Sequence, residues 1–105
     1  MNIPKPPRHL SKESKGIWKE ILGEYDLQAS EQTILKLALE NYDRAQMCRA
    51  QIANEGATVL APSGMLKPHP ALQAEKNAIS AYLQAMRLLA LNEEPPGPVG
   101  RPPGR

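Results

Sequence analysis

Residues 30–56, SEQTILKLALENYDRAQMCRAQIANEG, run without a proline from Ser30 to Gly56, and this stretch decides the fold. Ser30 is an N-cap candidate, and Glu31 after it puts a negative charge at the positive end of a helix. Gly56 stands where a glycine in the left-handed region closes one. Between them Ile34, Leu35, Ala38, Tyr42, Ala45, Cys48 and Ile52 recur at helical spacing, one apolar stripe on a helix over 31–54 that would be roughly 36 Å long. Leu37, Leu39 and Met47 add apolar surface on other faces, so this helix is expected to have more than one partner.

Proline placement marks what lies on either side. The 11 prolines of the 105-residue chain fall in three groups, at 4–7, 62–70 and 95–103, and none lies in 11–61 or 71–94. A proline inside a helix costs about 3 kcal/mol, so helical blocks belong in the gaps. Towards the N-terminus, Ser11 is an N-cap with Leu10 placed to pack back on the helix, and Ile17, Trp18, Ile21, Leu22 and Tyr25 form a stripe over 12–25. Residues 1–10, with three prolines, read as an extended basic arm.

Towards the C-terminus, Thr58-Val59-Leu60 and Met65-Leu66-Lys67 flank Ala61-Pro62-Ser63-Gly64, which fits a short hairpin over 58–67 or a plain loop. Pro70 suits the first position of a third helix reaching about Leu91, with Leu72, Ile79, Tyr82, Leu83, Met86, Leu89 and Ala90 on its stripe and Asn92 to close it. The predicted fold is mainly α: a three-helix domain with a long central helix and disordered Pro-rich termini. The segments are the arm 1–10, a helical domain 11–92 and a Pro/Gly/Arg tail 93–105.

Composition removes several function classes. A single cysteine, Cys48, makes no intrachain disulfide, and with only His9 and His69 beside it the sequence has no zinc-ligand spacing. There is no run of the roughly 18 apolar residues a membrane span needs, and the charged first 20 residues do not read as a signal peptide. An intracellular, soluble protein is expected. The motifs GxxxxGK[ST], GxGxxG and HExxH are all missing, so neither an enzyme nor a bound cofactor or metal is expected. Cys48 reads as a small buried residue, and Glu40 and Asp43, beside Arg44, as a solvated face.

Charge is polarised. Residues 1–19 carry Lys5, Arg8, Lys12, Lys15 and Lys19 against Glu13, a net +4, whereas residues 20–55 are net −4. Lys12, Lys15 and Lys19 share one helix face, and Lys5 and Arg8 extend it into the arm. Such a face either contacts phosphates or serves as a solubilising surface. The second helix opens on Glu31 and stays acidic, a poor choice for a major groove, so backbone contact is favoured over base reading. With no phenylalanine, three helices make a thin core, and homo-oligomerisation is a common remedy in small scaffolds. Trp18, Leu35, Leu39, Tyr42, Ile79, Leu83 and Met86 are the residues expected to serve that core or an oligomer contact.

The order of landmarks resembles the P27 family of phage terminase small subunits over roughly residues 8–95. They are His9-Leu10-Ser11, Trp18, Glu55-Gly56, Gly64, the Lys67-Pro68-His69-Pro70 lead-in and the leucine-rich end followed by prolines and arginines. The family often has Asn-Pro where this chain has His69-Pro70, and Leu-Gly-Leu where it has Leu89-Ala90-Leu91; the alanine is expected to let the last helix run longer. The resemblance implies a non-enzymatic component of a DNA-packaging machine in the host cytoplasm. It implies ring assembly, binding of double-stranded viral DNA and direction of a separate large subunit that supplies the ATPase and nuclease. The tail, with Arg101 and Arg105, reads as a docking peptide for the large subunit, as extra DNA-contacting charge, or as an end with no partner. The competing function is a helical adaptor or regulator that binds protein partners only.

Overall fold

The computed structural model describes residues 3–91, and the tail with Arg101 and Arg105 lies outside them. The order of elements is α1 (Lys12–Glu24), α2 (Ala29–Glu55), β1 (Thr58–Leu60), β2 (Leu66–Pro68) and α3 (Pro70–Leu89). The chain is therefore mainly helical, with a two-stranded antiparallel hairpin between its second and third helices.

Ser11 caps α1 as expected, its hydroxyl accepting the Ser14 N–H at 3.0 Å. The buried line of α1 is Ser14, Trp18 and Leu22, not the stripe predicted on Ile17, Ile21 and Tyr25. Ile17 and Ile21 are half-buried beside the core, and Tyr25 is exposed, donating its hydroxyl to the Leu91 carbonyl at 3.1 Å. The helix is rotated because a buried serine has a partner inside, the carboxylate of Asp43.

The start of α2 corrects the sequence reading. Its N-cap is Gln28, not Ser30, and the Glu31 side chain reaches back to the Gln28 N–H at 2.8 Å. At the other end the Gly56 N–H bonds to the Ile52 carbonyl at 2.7 Å, but with φ 91° and ψ 164° the glycine leaves the left-handed helical region and leads into β1. That positive φ favours glycine. The hairpin pairs Thr58 with Pro68, Val59 with Lys67 and Leu60 with Leu66, so its second strand sits one residue later than predicted.

α3 begins with Pro70 in its first turn and His69 as its cap, the imidazole Nδ1 accepting the Ala71 N–H at 2.9 Å. It ends at Leu89, short of the predicted Leu91, and the expected closure at Asn92 lies outside the described residues. Ala90 takes a left-handed conformation, φ 51° and ψ 37°, so the alanine in the place of the family's glycine does not prolong the helix. The turn brings Leu91 back against the core, and that packing outweighs the alanine's helix preference.

α2 and α3 are antiparallel. Moving from Arg49 to Tyr42 on α2 takes the partner from Glu75 to Tyr82 on α3. Ala38, Ala45, Ala71 and Ala78 are buried, small side chains that allow a close approach. Leucines concentrate at one end, where Leu10, Trp18, Leu22, Leu27, Leu35, Leu39 and Leu89 form the core under α1.

Candidate nucleic-acid interface

What holds α1 on the pair formed by α2 and α3 is a carboxylate that the sequence reading left in solvent. Asp43 Oδ2 accepts the Ser11 N–H at 2.8 Å, while Oδ1 accepts the Ser11 hydroxyl at 2.5 Å and the Ser14 hydroxyl at 2.6 Å. Burial pushes the Asp43 carboxyl up, but the bonds from Ser11 and Ser14 outweigh it and hold it below the usual carboxylate value. Glu40 is also occupied, its Oε2 lying 2.6 Å from His9 Nε2. Ser11 and Asp43 are 32 positions apart, so no local spacing signals the contact.

Two further bonds complete the mounting. Tyr42 donates its hydroxyl to Glu13 at 2.6 Å, and that carboxylate pushes the phenol up. Trp18 donates its indole N–H to the Pro4 carbonyl at 2.8 Å, which lays the arm along α1 before Leu10 enters the core.

The cations are set by this mounting. At about 100° per residue, Lys12, Lys15 and Lys19 fall in one narrow sector that flanks the buried line of Ser14, Trp18 and Leu22. Lys12 and Lys19 are exposed, and Lys15, next to the buried line, is half-buried. Lys5 and Arg8 are exposed on the arm. The Trp18 bond to Pro4 ties Lys5, the next residue, to the middle of α1. Among the described residues the ion pairs are His9 with Glu40, Arg49 with Glu75 and His69 with Glu55, so none of these five cations is paired. An unpaired cationic edge on a fixed helix can exchange its counterions for phosphates.

The residues grouped for core or oligomer contact divide. Trp18, Leu35 and Leu39 are fully inside, and Met86 packs against them half-buried. Tyr42 and Ile79 are half-buried, and Leu83 is 52% exposed, which removes it from the monomer core. These three border an open groove of about 210 Å³ between α2 and α3, where Tyr42 meets Tyr82 with ring centroids 5.6 Å apart. Cys48 is buried, and among the described residues no group of three or more His, Cys, Asp or Glu is placed to hold a metal ion. No helix among them is long and apolar enough to cross a membrane.

The fold and this edge define a small helical protein whose prominent features are surfaces. A family model described as phage terminase, small subunit, matches residues 12–94, and the chain belongs to that family. Its role is accordingly in phage DNA packaging in the infected host cell, and small subunits of the family are generally the non-catalytic, DNA-binding member. No curated protein and no solved structure matches the chain.

Proposed function

We propose that the chain binds double-stranded viral DNA through Lys5, Arg8, Lys12, Lys15 and Lys19, assembles into a homo-oligomeric ring, and directs the genome to the large ATPase and nuclease subunit in the host cytoplasm. Within its family the order of landmarks favours the P27 branch. The observation that carries the DNA reading is the unpaired Lys12, Lys15 and Lys19 sector on a helix fixed by Asp43. Five cations on one copy bind weakly, and a ring repeats them, turning weak contacts into avidity. The Glu31 start of α2 makes that helix a poor reader of bases, so the contact is to backbone and shape.

The test is the triple variant Lys12→Glu, Lys15→Glu, Lys19→Glu. It is expected to lose a salt-sensitive shift of duplex DNA while keeping its oligomer mass. Unchanged binding with the same salt slope places the patch elsewhere. The exposed Leu60, Met65, Leu66 and Leu88 favour a second reading, an adaptor that meets protein partners only. Absence of salt-dependent DNA binding by the unaltered chain would select it.

A further inference from the structure

Two apolar surfaces of this chain have no partner within it. One is the hairpin tip, where Leu60, Met65 and Leu66 are 70%, 70% and 68% exposed and Leu60 and Leu66 are cross-strand neighbours. Single exposed leucines are ordinary, but three large apolar side chains together on a projecting ribbon mark an interaction site. The other is the groove between α2 and α3, walled by Tyr42, Ala45, Ile79 and Leu83. Its walls are fixed by the Tyr42 and Tyr82 ring contact and by the Arg49 to Glu75 bridge at 2.9 Å.

The tip does not reach the groove of its own chain. The hairpin joins Glu55 to Pro70, whereas Tyr42 and Leu83 lie thirteen residues away from those ends along α2 and α3, about 20 Å. Each strand has three residues, about 10 Å of ribbon. Charge fits the two surfaces to each other. The one charged residue in 56–68 is Lys67, exposed in the centre of β2. At the groove, the carboxylates of Glu13, bonded to Tyr42, and Glu75 outnumber the Arg49 guanidinium.

We propose that the hairpin tip of one copy seats in the α2–α3 groove of a second copy of this chain, with Lys67 directed to the carboxylates at its rim. Each copy then offers one tip and one groove. The contact is head-to-tail, the kind that closes into a ring when the rotation between copies is right. The proposal rests on the ring reading above and names the contact within it.

The test measures the native mass of the full chain by light scattering at micromolar concentration, for the unaltered protein and for Leu66→Glu and Leu83→Glu. Circular dichroism serves as the folding control, because both side chains are exposed. In parallel, with the native thiol removed by Cys48→Ala, a Leu66→Cys chain is mixed with a Leu83→Cys chain under mild oxidation. The proposal expects an oligomer that either glutamate variant reduces to monomer with helicity unchanged, and a disulfide that joins the two cysteine variants to each other. An oligomer whose mass survives Leu66→Glu, or disulfides only between identical variants, overturns the tip-in-groove contact and leaves the ring reading standing. A monomeric unaltered protein overturns both.

Discussion

Asp43 Oδ1, midway along α2, accepts the hydroxyl of Ser14, a residue with no exposed surface, at 2.6 Å. A serine inside a leucine-rich core costs free energy unless it is hydrogen-bonded, so this bond both satisfies the hydroxyl and sets the rotation of α1. The lysine sector follows from that rotation.

Replacing Asp43 by Ala is expected to destabilise the chain by about 2–3 kcal/mol, because three donors lose their acceptor and the Ser14 hydroxyl is stranded. Thermal unfolding reads the loss. A red shift of Trp18 emission reports whether α1 has left α2. Full stability with unshifted emission would show that the carboxylate does not position the helix.

The same carboxyl sets a pH dependence. Its folded pKa is depressed, so its contribution is fully present above the unfolded carboxylate value, near 3.9, and is lost as pH falls through the folded value. Acid titration of the unaltered protein, followed by Trp18 emission, should show a transition below about pH 4. Asp43→Asn should lack that contribution and lose the corresponding part of the pH dependence.

Ala90→Gly is expected to stabilise the chain by about 1 kcal/mol, because a left-handed residue with a Cβ carries a steric cost that glycine avoids. A rise in melting temperature of roughly 4–8 °C is expected for a domain of this size. A fall would mean that the alanine methyl makes a contact worth more than the strain.

His69 Nδ1 accepts the Ala71 N–H while Nε2 lies 2.7 Å from Glu55, an arrangement met by an imidazole protonated on Nε2. Its hydrogen bond holds the Glu55 carboxyl below the ordinary value. His69→Ala should cost about 1 kcal/mol, and His69→Asn, which can still cap, should recover most of it. Paired melting curves compare them, and equal losses in the two variants would exclude capping as the role of His69.

For DNA binding, replacing Lys19 by Ala should lower the slope of log affinity against log salt by about 0.9 if that lysine meets one phosphate. Binding to unrelated duplexes should weaken alike, since phosphate contacts carry no sequence information. A titration series from low to moderate salt on two duplexes measures both effects. A loss confined to one sequence would point to base contact.

Much of the architecture was legible because it is locally encoded. Ser11 before an apolar stripe, Pro70 in a first helical turn, and the two short strands around Ala61 to Gly64 each act through residues close in the chain. Gln28 and Glu31 carried a local signal too, the three-residue reach-back, but Ser30 was the more conspicuous capping residue. Hydrophobic periodicity located α1 but not its buried face. Ser14 scores as polar, and only a partner 29 positions away makes it an interior residue.

By itself the sequence determined where helices start and stop to within a turn, where the chain bends, and which end is cationic, because caps, prolines and charge act over a few residues. Tertiary structure decided the rotation of α1, the anchoring of the arm on Trp18, the early end of α3 at Ala90, and the exposure of Leu83. Each of these depends on groups far apart in the chain. A carboxylate on α2, a carbonyl in the arm and a leucine beyond α3 acquire their meaning only when folding brings them to Ser14, Trp18 and Tyr25.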